Sequence, residues 1–189
     1  MPITKIVSGG QTGADRGALE AAIYASIPHG GWCPKGRKAE DGIIPLKYEL
    51  SEMRSADYLK RTEANVIDSD ATLLVTFGRA TGGSKRTLEF CVKHAKPYHH
   101  VDLSTLTIGK AVEDVCRWLG GDTELNDYEE YEARPPECCV LNGAGSRESK
   151  AQGIEHETMR LFVDVLRRTN PECANIYPIS RIPSHSGQN

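Results

Sequence analysis

Ser8-Gly9-Gly10-Gln11-Thr12-Gly13-Ala14-Asp15-Arg16-Gly17 decides how this chain is read. The short apolar run Lys5-Ile6-Val7 precedes it, and small and apolar residues at Ala14, Leu19, Ala21, Ala22, Ile23 and Ala25 follow it. That pattern is a strand, a glycine-rich turn and a helix able to pack closely on a sheet. Glycines admit positive φ and close approach, and the first amides of a helix present N–H donors and a positive dipole end. Such a turn suits an anion. The same glycines would also serve a tight turn with close helix packing.

Two further segments repeat the device. Phe77-Gly78-Arg79-Ala80-Thr81-Gly82-Gly83-Ser84 follows the nearly continuous apolar run Ala71 to Phe77, and Asn142-Gly143-Ala144-Gly145-Ser146-Arg147 follows Cys138 to Leu141. An uninterrupted apolar run suits a strand buried on both faces, so Ala71 to Phe77 is expected at the centre of the sheet. Between these landmarks the pattern predicts a short strand within Ser26 to Trp32, a polar loop from Cys33 to Leu50 and a helix from Ser55 to Asp68. Further along come a helix from Thr87 to His94, a strand from Tyr98 to Leu103 and helices over Ile108 to Leu119 and Ser149 to Arg168. A loop as long as Cys33 to Leu50 is usually functional or mobile. An acidic linker spans Gly120 to Glu137.

Regular alternation of strand and helix implies an α/β protein, a doubly wound parallel sheet of about five strands with helices on both faces. Residues 1–170 are expected to form one domain and 171–189 an irregular tail. If the strands run two-one-three-four-five, the order reverses between the strand before Ser8 and the strand before Phe77. Ligands bind beyond the carboxyl ends of strands at such a point. On that order the fifth strand lies farther away, and its turn reaches only the ligand's other end.

Composition narrows the possibilities. The chain has 189 residues, 39% of them hydrophobic, and a formal net charge of -3. Mild acidity argues against a protein that lives on the nucleic-acid backbone, which needs a clustered basic surface. No apolar run is long enough to span a membrane, and the start lacks a secretory signal, so a cytoplasmic protein is expected. The six cysteines form no CxxC pair, which points to neither a disulfide framework nor a zinc finger. Cys91, Cys116 and at least one of Cys138 and Cys139 read as small buried hydrophobes. His99 and His100 are adjacent on a strand, so they face opposite sides and cannot share one metal.

The first turn fits neither GxGxxG nor the Walker pattern, and no GxSxG elbow or HExxH exists. No catalytic residue or metal ligand is therefore assigned. Arg16, placed where a helix dipole disfavours it, is expected to pair with Asp15, Glu20 or a neighbouring subunit, or to meet the ligand. Arg147 and Lys150 read as solvated charges at a helix start.

The stretches SGGQTGADRGALEAA, GGWCPKGRKAEDG, TLLVTFGRATGGSKRTLEF and VLNGAGSRESKAQGI, in order from Ile3 to Leu166, resemble the molybdenum carrier family. That group is similar to a wider Rossmann-like set that includes DNA-processing protein A and the Lonely-Guy phosphoribohydrolases. The resemblance implies a homo-oligomeric carrier, typically a tetramer, that holds molybdenum cofactor (molybdopterin) and protects it before transfer to molybdoenzymes. Carried over by motif, Ser8, Gly9, Gly10, Gln11, Thr12, Gly78, Thr81, Gly82, Gly83, Ser84, Asn142 and Gly143 would line the cofactor site. The Lonely-Guy pattern PGGxGTxxE is matched here at Gly82, Gly83 and Glu89, but Thr81, Lys85 and Arg86 depart from it. The alternatives are a nucleoside-monophosphate hydrolase using Glu89, or a nucleotide- or anion-sensing protein.

Overall fold

Thr4 and the apolar residues Ile3, Ile6 and Val7 start the first strand, β1 (Ile3–Val7), which enters α1 (Ala14–Tyr24) through the glycine-rich turn. The computed structural model describes residues 2–120, 135 and 139–179. After α1 comes β2 (His29–Gly30), cut to two residues because Pro28 and Gly31 flank it. The long loop then builds two small ladders: β3 (Trp32–Cys33) pairs in parallel with β6 (Ser51–Glu52), and β4 (Lys38–Ala39) forms a hairpin with β5 (Gly42–Ile43). Next come α2 (Tyr58–Ile67), β7 (Ala71–Thr76), α3 (Gly82–Lys93), β8 (Tyr98–Asp102), α4 (Ile108–Gly120), β9 (Cys139–Gly145) and α5 (Ile154–Thr169). A 3-10 turn at Pro171–Cys173 follows α5. The expected acidic linker, apart from its first residue and Pro135, and the tail beyond Ile179 lie outside the described residues.

The five main strands are all parallel, in the order β2-β1-β9-β7-β8. This corrects the expected order. The last strand is not at an edge but inserted between β1 and β7, with Val7 opposite Asn142 on one side and Val75 opposite Gly145 on the other. It is also longer than expected, because Asn142 to Gly145 continue the strand instead of leaving it as a turn.

Two polar fastenings hold this arrangement. The buried Asn170 amide, just past α5, accepts from Ile3 N at 3.0 Å and donates to Ile3 O at 3.1 Å, which ties the end of the last helix to the first strand. Asn142 Nδ2 donates to Thr72 Oγ1 at 3.2 Å between β9 and β7.

Every residue of β7 is buried, as its apolar run demands. Ala71, Leu73 and Val75 face a core shared with α1, α4 and α5, whose largest members are Trp118 and Phe162. Burying side chains of that size removes roughly 150–250 Å² each from water. Thr72 faces the other way, toward Cys91 of α3. α1, α4 and α5 pack together, and α2 packs with α3, so helices cover both faces. The expected burial of Cys91 and Cys139 holds; Cys116 is half-buried, and Cys138 lies outside the described residues.

α3 begins five residues earlier than the periodicity suggests, at Gly82, so the second glycine-rich turn is itself the start of a helix. α5 begins later, at Ile154, with Gly153 in the left-handed conformation (φ 86°) before it.

The loop from Cys33 to Leu50 is organised around one side chain. Arg37 donates to the carbonyls of Ile44, Leu50, Pro45 and Tyr48 at 3.0–3.1 Å. Its apolar residues Cys33, Ile44, Tyr48 and Leu50 close a second small core against Leu19 of α1. Burial pushes the Cys33 thiol up, which disfavours the thiolate that a metal would need.

Candidate functional site

β1 and β7 carry the chain outward in opposite directions, through α1 to β2 on one side and through α3 to β8 on the other. The sheet therefore reverses its order at the place β9 occupies. A cleft of about 240 Å³ opens there, at the carboxyl ends of β1 and β9. Its floor is Asn142, Gly143, Ala144 and Gly145 of β9. Gly9, Gln11 and Asp15 form one side, Gly83 and Thr87 of α3 another, and Tyr58, Leu59, Arg61, Thr62 and Asn65 of α2 the third, with Arg147 at the edge.

Of the twelve residues expected at the site, the cleft brings together Gly9, Gln11, Gly83, Asn142 and Gly143. Ser8 lies beneath it, fully buried, and its hydroxyl donates to Gly143 O at 2.6 Å. Gly10 turns away toward Leu50 and Ile44. Thr12 donates its hydroxyl to Glu40, and Gly78 N donates to Asp102 at 2.7 Å. Thr81, Gly82 and Ser84 belong to the start of α3 without lining the cleft.

The first turn differs from an open anion cradle in a specific way: the amides from Gln11 to Ala14 are already engaged. Gln11 N donates to Asp15 at 3.3 Å, Thr12 N to the Gln11 side chain at 3.1 Å, Gly13 N to Glu155 at 3.2 Å and Ala14 N to Ser146 O at 3.0 Å. The start of α3 is arranged differently. Its N-cap Thr81 makes no side-chain cap, its first turn holds no acid, and a Cβ added at Gly83 would meet nothing within 4 Å. Packing does not account for a glycine there.

Arg61 was indistinguishable in the sequence from a solvated helix arginine, yet it is nine-tenths buried. It lies flat against the first turn: a Cβ at Gly9 would stand 1.6 Å from Arg61 Nη1, so only glycine fits beneath it. Nη1 donates to Asp15 at 3.2 Å. Burial pushes the Asp15 carboxyl up, and the attraction of Arg61 opposes that without cancelling it. Asn65, one helical turn on, clamps β3 by accepting from Trp32 N and donating to Trp32 O.

Arg16 meets neither Asp15 nor Glu20 but Asp41, at the tip of the β4–β5 hairpin. Glu40 beside it accepts from Thr12, from the Ser149 amide and hydroxyl, and approaches Arg147 at 3.9 Å. Burial acts to raise the Glu40 carboxyl, but the Ser149 and Thr12 bonds and Arg147 outweigh it and hold it below the usual range. The loop is thereby fastened across the first turn. Arg147 also stands 5.6 Å from the Tyr58 ring centre, so it borders the cleft in place of being a plain helix-start charge.

The histidine pair separates as its strand requires. His99 stacks on Trp118 at 5.3 Å and meets Asp114 at 2.9 Å, while His100 Nε2 lies 2.8 Å from Thr76 Oγ1. Glu89 pairs with Arg86 at 2.7 Å on the exposed side of α3 and does not line the cleft.

A parallel doubly wound sheet with a polar cleft at its point of reversal defines a Rossmann-like α/β protein. Within that class the chain belongs to the circularly permutated YpsA SLOG family, whose sequence model matches residues 6–166. It is similar to a solved structure from Syntrophus aciditrophicus SB named "putative molybdenum carrier protein", with 44% identity and a TM-score of 0.74 over 87% of this chain and 94% of that one. No curated protein matches at a significant level.

Proposed function

We propose that this protein is a molybdenum cofactor carrier, which holds the cofactor in the cleft above β9 and shields it before transfer to molybdoenzymes. The name of the similar structure from Syntrophus supports the cargo. The observation that carries the binding role is the start of α3: an uncapped helix end with an unencumbered Gly83, facing Arg61 and Arg147 across the cleft. Molybdenum cofactor joins a flat pterin to a phosphate and an oxo-metal dithiolene. A volume of about 240 Å³ is below the roughly 300–1,000 Å³ of full ligand pockets, so one anionic end enters and the rest lies along the rim near Tyr58.

Among the described residues, no three His, Cys, Asp or Glu side chains gather as a metal site. In this role the protein grips the organic and anionic parts of the cofactor, whose own dithiolene sulfurs hold the metal. The carrier would act as a cytoplasmic homo-oligomer. Glu89, turned outward to Arg86, leaves the nucleotide-hydrolase alternative without its acid in the cleft.

The test is protection. Cofactor incubated with the purified protein should lose its capacity to reconstitute an apo molybdoenzyme more slowly in air than cofactor alone. Equal rates of loss would refute the carrier role.

A further inference from the structure

Two side chains in the cleft are buried with polar atoms unsatisfied. Gln11 is 4% exposed; its Oε1 accepts from Thr12 N and Glu40 N, while its Nε2 has no partner. Arg61 is 8% exposed; its guanidinium donates to Asp15, and its Nε has no partner. Both line the same cleft. Burying an amide or a guanidinium N–H without an acceptor is costly, and native interiors rarely tolerate it.

Each is also held where it is. The Gln11 amide cannot turn over to satisfy Nε2 without abandoning the two backbone donors that fix its oxygen. Arg61 is pinned between Asp15 and the bare face of Gly9. The charged groups lining the cleft are Arg61 and Arg147 against Asp15, a net charge of one positive. Donors without acceptors and a surplus of positive charge describe a site for an anion with several oxygens.

We propose that Gln11 and Arg61 form a subsite for a tetrahedral oxoanion at the inner end of the cleft. The group would be a phosphate monoester or a metal oxoanion, the two sharing geometry and charge. This deepens the carrier role and rests on it only for the identity of the whole cargo.

The experiment titrates molybdate, tungstate and inorganic phosphate, each alone, into the full chain by calorimetry, then repeats the titrations with Gln11→Glu and Arg61→Lys. Gln11→Glu keeps the oxygen that accepts from Thr12 and Glu40 and removes the donor. Arg61→Lys keeps the charge and removes the fork. The wild type should bind at least one oxoanion, and each folded variant should bind it about tenfold or more weakly. Preference for phosphate assigns the inner end to a phosphate ester, and preference for molybdate or tungstate assigns it to an oxo-metal group. Unchanged affinity in folded Gln11→Glu, or no oxoanion binding by the wild type, overturns the subsite. Should Arg61→Lys fail to fold, Gln11→Glu decides alone.

Binding of the intact cofactor separates the two ideas. If the variants lose oxoanions but the wild type does not bind cofactor, the subsite stands and the carrier role falls. If cofactor binds both variants as tightly as wild type, the carrier role stands and the subsite falls.

Discussion

The Arg16 guanidinium meets the Asp41 carboxylate through two parallel bonds of 2.6 and 2.7 Å, from the first turn of α1 to the tip of the β4–β5 hairpin. Arg16 Nε also donates to Gly10 O, so one side chain fixes both the glycine-rich turn and the loop over it. Arg16→Ala should release the hairpin. Because Asp41 is half exposed, the stability lost should be only about 1–2 kcal/mol. Limited proteolysis should show faster cleavage between residues 35 and 47, with little change in the far-UV spectrum.

Gly83 and Gly145 both line the cleft but answer to different constraints. A Cβ at Gly145 would stand 1.8 Å from Val75 O and 2.7 Å from the Ala14 Cβ. Gly145→Ala should therefore cost about 3 kcal/mol or more in urea unfolding, whatever it does to binding. At Gly83 the added methyl has open space inside a helix, so Gly83→Ala should leave stability equal or raise it by about 0.5–1 kcal/mol. Its cofactor affinity should fall nonetheless, because the methyl projects from the cleft wall. Unchanged affinity with raised stability would separate the α3 start from ligand contact.

Asp114 sets an acid dependence. The hydrogen bond from His99 holds its carboxyl below the usual range, against the opposing effect of burial. A depressed carboxyl contributes stability that is fully present above its unfolded pKa and is lost as pH falls through the lower folded value. Asp114→Asn should flatten that acid limb. Thermal unfolding from neutral to strongly acidic pH, compared between wild type and variant, would show two parallel curves if the pair contributed nothing.

Glu89→Gln should leave cofactor affinity unchanged and reduce stability by no more than about 0.5 kcal/mol, since it breaks one exposed pair with Arg86. Chromatography of nucleoside monophosphates incubated with wild type should show no free base. Base release abolished by Glu89→Gln would point instead to the hydrolase alternative.

The alternation of apolar runs and helical periodicity made the parallel sheet readable, and the buried run Ala71 to Thr76 lies near its centre as expected. Strand order was not readable from periodicity. Nothing local to Cys139-Val140-Leu141 distinguishes an edge strand from one inserted between two others; the small residues Gly143, Ala144 and Gly145 carried the signal, read as a turn instead of as a strand squeezed by neighbours. The glycines of Ser8 to Gly17 stand out in the sequence, but what they pack against does not. These glycines accept Arg61, α5 and the β9 turn, and the amides of Gln11 to Ala14 are taken up by Asp15, Gln11, Glu155 and Ser146. Arg61 itself was invisible, because an arginine within a helix announces neither its burial nor the glycine it rests on.

The insertion of β9 also orders events in time. Among the described residues β1 pairs only with β2 and β9, and β7 only with β8 and β9, so a chain that has emerged only as far as Gly120 holds the main-sheet strands as two separate pairs, β1–β2 and β7–β8, beside the two small ladders of the loop. β9, the last strand among the described residues, joins them and with Asn142 to Gly145 forms the floor of the cleft. A chain without β9 in place thus lacks this floor, and the cleft exists only once β9 has joined the two halves of the sheet.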